Sequence, residues 1–146
     1  MNKRFRLWYN LASYFLLLSA ITHATGHYLF YLDESGFASD RVALAEAMKG
    51  YLADTFILNT SMWTLLKMFS LSFSLLFLFA GLINLLLIRS NLPADAMKRV
   101  AKFHLLFWLA SLLLFLSLHP AIQPIVICAT ASSLFAIALT QAKDDA

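Results

Sequence analysis

One cysteine, four glycines and three prolines among 146 residues leave this chain few means of stapling or kinking itself. A lone thiol, Cys128, excludes a disulfide framework and a multi-cysteine metal centre. Its place inside an apolar run reads as a small packed hydrophobe. The glycines are scattered, so no phosphate-cradling loop is present, and no nucleophile sits in a pattern with its base. Charge is scarce as well: 13% of residues are Asp, Glu, Lys or Arg, where a soluble domain carries about 25%. Such a chain offers no surface for nucleic acid.

What is abundant is apolar. The hydrophobic share is 61%, against about 45–50% in soluble domains. That exceeds what one small core can hide and points to lipid as the solvent. The length suits a single membrane domain, with no separate soluble enzyme module. Four apolar segments stand out at 7–31, 61–88, 103–118 and 121–140. A span needs about 20 helical residues, and backbone inside hydrocarbon must satisfy its own polar groups, so each segment is expected as a helix. The start, with Lys3, Arg4 and Arg6 ahead of an apolar run, resembles a signal peptide. The run continues through Tyr28, Leu29, Phe30 and Tyr31, and we read a retained first span.

Loop charge sets the orientation. Lys3, Arg4 and Arg6 mark the tail, and Arg89, Lys98, Arg99 and Lys102 outweigh Asp95 in the 89–102 loop. The 32–60 loop carries Asp33, Glu34, Asp40, Glu46 and Asp54 against Arg41 and Lys49. Basic loops stay inside, so both termini are expected in the cytoplasm of a bacterial inner membrane. Trp8 and Tyr9 suit the inner aromatic belt; Tyr28, Tyr31, Tyr51 and Trp63 suit the outer one. Within the outer loop a Ser39-Asp40 cap precedes Val42, Ala45, Met48 and Leu52 at helical spacing, which predicts a short amphipathic surface helix. The expected fold is thus an all-α integral membrane protein, a four-helix antiparallel transmembrane bundle with that helix in its first extracytoplasmic loop.

Each span has a face of polar or small residues. The first has Ser13, Ala20, His23 and His27. The second has Lys67, Ser70, Ser74, Phe77, Gly81 and Asn84. The third has His104, Trp108, Ser111, Phe115 and His119. The fourth has Gln123, Val126, Thr130, Ser133, Ile137 and Thr140. Such faces let helices approach and bond in lipid, and bundle packing explains most of their members.

Ionisable groups inside a bilayer are functional candidates by default. His23, His27, Lys67 and His119 all fall in the outer half and would line one ligand pocket. His23 and His27, four residues apart, share a helical face, a spacing suited to two ligands of one metal ion. His119 is the third candidate, with Glu46 or Asp54 of the outer loop as a fourth. A histidine pair across helices would alternatively hold one haem b. Lys67 reads either as a snorkelling anchor or as the partner of an anionic headgroup, a quinone oxygen or Asp54. His104, beside the basic loop, reads as a headgroup-level residue outside the site. A transporter fits poorly, since no acid lies mid-membrane to couple ions.

The stretch His23-Ala24-Thr25-Gly26-His27, with a Ser61-Met62-Trp63 entry to the second span, resembles small bacterial four-span membrane proteins. In those an H-x-x-G-H-like stretch closes the first helix and a Ser-x-Trp-like stretch opens the second. The resemblance covers about the first half of the chain. It implies the four-span fold and the importance of His23, Gly26, His27, Ser61 and Trp63, but no activity. The carboxylate expected soon after the Trp is missing here, and Lys67 lies nearby instead. The functional expectation is a bundle whose outer half binds a metal ion, a haem or an amphiphile such as a quinone or lipid, with Ser70, Trp63 and Asp54 supporting the site. Any catalytic residue is left open. The rival expectation is an accessory subunit or scaffold, binding no ligand, in a homo-oligomer or larger membrane complex.

Overall fold

A computed structural model describes residues 2–55, 58–118 and 122–142, with only the backbone at Glu34, 53–55, 58 and 59. His119 lies outside the described residues, as does the side chain of Asp54. The chain is predominantly helical. Its elements are α1 (Lys3–His27), a π turn (Tyr28–Leu32), α2 (Ser39–Gly50), β1 (Leu52–Thr55), β2 (Leu58–Ser61), α3 (Met62–Arg89), α4 (Ala94–Leu118) and α5 (Ile122–Thr140). Three helices, α3, α4 and α5, are long and apolar enough to cross a membrane. The chain forms two compact units, Met1–Ser19 with Leu78–Ala146, and Ala20–Phe77.

In the first of these units α4 packs along α5. Small side chains on α5, Cys128, Ala131, Ser132 and Ala138, are buried there with Ile127 and Phe135. This corrects the face expected for α5: Val126 is 54% exposed and Ser133 is exposed too. The reason is local. The Ser133 hydroxyl donates to the carbonyl of Ala129 at 2.8 Å, and Thr140 donates to that of Ile137 at 2.8 Å. A hydroxyl satisfied by its own helix has no need to face a neighbour. Cys128 is 2% exposed, a packed small residue as expected.

Gly81 brings the α1 and α3 segments of this unit together. A Cβ there would lie 2.6 Å from Leu17 Cδ2 and 3.0 Å from the carbonyl oxygen of Ser13. Asn91, at φ 52°, ends α3 in the left-handed conformation that asparagine tolerates. Pro93 comes next but one, its carbonyl accepting from Met97 N–H at 3.2 Å. α4 therefore starts at Ala94 and takes in Lys98, Arg99 and Lys102, which were expected in a loop. Charge made the stretch read as a connection, yet nothing in it breaks a helix.

The other unit holds the C-terminal end of α1 and the elements between it and Phe77. The π turn closes with Asp33 N–H donating to the Tyr28 carbonyl at 3.0 Å. α2 forms where the amphipathic spacing predicts it, but Ser39 does not cap it. The N-cap is Ala38, without a side-chain bond, and Asp40 lies in the first turn, where its charge suits the helix dipole. Arg41 holds α2 against the preceding turn. Its guanidinium donates to the Phe30 carbonyl at 2.6 Å and lies 4.5 Å and 3.9 Å from the centroids of Phe30 and Phe37. Residue pattern did not foretell the antiparallel β1–β2 pair, Leu52 opposite Ser61 and Thr55 opposite Leu58. The Met62 N–H donates to the Tyr51 carbonyl at 2.9 Å, carrying the pairing into α3.

Candidate functional site

The expected site divides into residues the structure joins and residues it leaves apart. His23 sits on α1 facing α3. Its Nε2 lies 3.1 Å from the Ser70 carbonyl and 3.5 Å from the Ser70 hydroxyl. A carbonyl only accepts, so this nitrogen carries the proton and donates. A protonated, donating nitrogen has no lone pair for iron or another metal, so Nε2 is not a ligand atom in this arrangement. Phe73 and Phe77 meet the imidazole edge-on, both with centroids 6.2 Å away. His23 and Ser70 thus act as a clasp between α1 and α3.

One turn on, His27 is 8% exposed and packs beside Tyr31, centroid to centroid 5.3 Å. Tyr31 in turn meets Trp63 at 5.4 Å. The π turn places Tyr31 in this row. Trp63 is 7% exposed. Tyr31 and Trp63 therefore pack on one another. Tyr28 and Tyr51, in contrast, are exposed.

Two polar atoms in this row have no hydrogen-bond partner among the described residues: Nδ1 of His27 and Nε1 of Trp63. A buried polar group left unpaired costs about 1–3 kcal/mol. Lys67 is half-buried one turn along α3 from Trp63. Both it and His23 lie within electrostatic reach of His27. The arrangement provides two obligate donors, the Trp63 indole and the Lys67 ammonium, and an imidazole nitrogen that serves in either sense.

The supporting residues resolve individually. The Ser61 hydroxyl accepts from Thr64 N–H at 3.2 Å and meets the Thr64 hydroxyl at 3.0 Å. It is the N-cap of α3, a structural role. A Cβ on Gly26 would meet nothing within 4 Å, and no glycine among the described residues has positive φ, so packing does not require glycine there. Glu46 pairs with Lys49 at 2.9 Å. Among the described residues no group of three His, Cys, Asp or Glu could hold a metal ion.

A second polar cluster escaped the sequence reading. Tyr9, expected in the inner belt, is fully buried and donates to Asn84 Oδ1 at 2.7 Å. It also meets Phe135 edge-on at 5.6 Å. His104, expected at headgroup level, stacks on Phe135 instead, centroids 4.7 Å apart and planes 9° apart. Asn84 Nδ2 and His104 Nδ1 are buried without partners among the described residues. The signal was present: Tyr9 shares the helical face of Ser13, and Asn84 closes the polar stripe of α3. Comparison with family models, with curated proteins and with solved structures finds no match for this chain.

Proposed function

We propose that the chain is a four-span membrane protein whose outer half binds an amphiphile through hydrogen-bond acceptors on its polar head, a quinone being the type case. Both of its termini lie in the cytoplasm. The fourth span is α1, and its exposed face supports that reading. Leu7, Leu11, Tyr14, Leu18 and Ile21 recur every three or four residues and are 42–64% exposed, while Ser13 and Ser19 are buried. Apolar outside and polar inside is the pattern of a helix solvated by lipid.

The observation that carries the ligand reading is the pair of unpartnered buried nitrogens, His27 Nδ1 and Trp63 Nε1, on either side of Tyr31. An acceptor brought to the indole N–H and the Lys67 ammonium removes a desolvation cost that the protein alone carries. The aromatic rings of Tyr31 and Trp63, inclined at 60° to one another, supply apolar contact for a conjugated head group. His23, held by Ser70, positions α1 against α3 beside the site. His119, outside the described residues, remains a proposed further contact. A metal ion or haem finds less support, because His23 Nε2 is engaged by a carbonyl.

The test is thermal unfolding in neutral detergent with a short-tailed quinone, and with its alkylbenzene counterpart lacking the carbonyl oxygens. The quinone should raise the midpoint and the counterpart should not. Trp63→Phe, which removes the N–H together with one of the two fused rings, and Lys67→Met should each weaken quinone binding about tenfold, the equivalent of one hydrogen bond to a charged or buried group. Equal responses to both compounds, or variants that bind as wild type, would leave the scaffold reading in its place.

A further inference from the structure

A different feature lies at the basic end of the unit Met1–Ser19 with Leu78–Ala146. Arg6, Asn10 and Tyr14 on α1, with Leu85, Ile88 and Arg89 on α3, line a cleft of about 320 Å³. That is about ten times the volume one water occupies in the liquid, enough for a phosphodiester head. No acid is among its lining residues, so the cleft holds two guanidiniums and, among the described residues, no carboxylate to balance them. Arg6 is steered into place by the Ile88 carbonyl, which accepts from one of its terminal nitrogens at 3.0 Å. A guanidinium has five N–H donors, so this bond leaves Arg6 able to grip an anion as well. The Arg89 side chain makes no hydrogen bond or ion pair among the described residues. Asn10 adds an amide, and Tyr14, 53% exposed, presents a ring of the kind that sits among headgroups. Leu85 and Ile88 form an apolar wall.

We propose that this cleft is a binding site for the phosphate of an anionic phospholipid headgroup. Paired arginines recognise phosphate through parallel, charge-assisted N–H donors. The apolar wall suits the glycerol and first methylenes that a free phosphate lacks. The nearby cleft lined by Asn2, Arg4, Thr140 and Gln141 has one cation and no such wall, so it does not share the assignment. The occupant completes the site by neutralising two like charges, and it fastens the end of α1 to the end of α3. The proposal is independent of the ligand reading for the outer half.

The experiment uses the full chain in neutral detergent, titrated with short-chain phosphatidylglycerol, phosphatidylcholine of equal chain length, and inorganic phosphate, read by native mass spectrometry and thermal unfolding. Phosphatidylglycerol should bind and raise the unfolding midpoint, and phosphatidylcholine, whose phosphate charge is balanced by its own choline, should bind more weakly and raise it less. Arg89→Gln, which breaks no internal bond, should weaken phosphatidylglycerol binding about tenfold. The double variant Lys98→Gln/Arg99→Gln on α4 should leave it unchanged. Equal binding of the two lipids, an equal loss in the α4 variant, or no effect of Arg89→Gln overturns the site. If inorganic phosphate reproduces the whole effect, the lipid assignment is overturned and the occupant is the free anion.

Discussion

The bond between Tyr9 and Asn84 shows what a single polar pair does where water is absent. Both residues are fully buried, and the tyrosine hydroxyl donates to the amide oxygen. Tyr9→Phe should destabilise the protein by about 0.6 kcal/mol, the average for such bonds in a membrane protein, and by no more than about 1.7 kcal/mol, the largest found there. Adding Asn84→Ala should cost less than the two single changes summed, as a double-mutant cycle in chemical unfolding will read. Asp33, beyond the end of α1, carries a prediction in pH. Its carboxylate accepts from the hydroxyl and the N–H of Ser35, which holds its pKa below the ordinary 3.8. A depressed carboxyl favours the folded turn above that ordinary value and loses the benefit as acid carries it through the lowered one. Ser35→Ala should therefore move the Asp33 titration upward toward its ordinary value, followed by carboxyl NMR. Residue identity alone revealed the partners of neither Tyr9 nor Asp33. Tyrosine suits a belt and a core equally well, and only packing decides between them.

At the scale of the element, the long helices were legible because lipid demands long apolar runs. α3 and α5 begin and end within one residue of the segments read from composition. The polar stripe of α3 was legible too: Ser74, Phe77 and Asn84 are buried and Gly81 sits in close contact. The stripe of α5 was not, since serine and threonine bond their own backbone and so report nothing about direction. The hairpin escaped because 52–61 has no clean alternation of apolar and polar residues. The glycines sort by neighbour rather than by motif. Gly81→Ala should force Leu17 to move and press on the Ser13 carbonyl, lowering the unfolding midpoint, and Gly81→Leu should lower it further. Gly26→Ala, in open space, should leave the midpoint unchanged or raise it slightly, since alanine favours a helix by about 1 kcal/mol. Of the proposed outer site, His23, His27 and Lys67 could be named from rarity of charge in apolar sequence. The unpaired indole of Trp63 could not, because a tryptophan near a helix end reads first as an interface anchor.

For the whole molecule the informative surface is its apolar one. Phe79, Phe103, Leu106 and Ile122 are 67–80% exposed, far beyond what water tolerates in bulk. The proposed topology places the 32–60 loop outside and the turn at Ser90 inside. In a Cys128→Ala background, Ala38→Cys in intact cells should react with a membrane-impermeant thiol reagent, and Ser90→Cys should react only after the membrane is opened. The reverse pattern would invert the orientation, and labelling of both in intact cells would remove one span.

α1 is the helix that falls short of the hydropathy of the other three, because Asn10, Ser13, Ser19, His23 and His27 interrupt its apolar run. A ribosome delivers it before the partner that buries its polar side has been made. Ahead of α3, its serines, asparagine and histidines would meet acyl chains directly. On the proposed four-span topology, insertion of α1 waits on α3, so shortening the link between them should trouble biogenesis more than it troubles the finished protein.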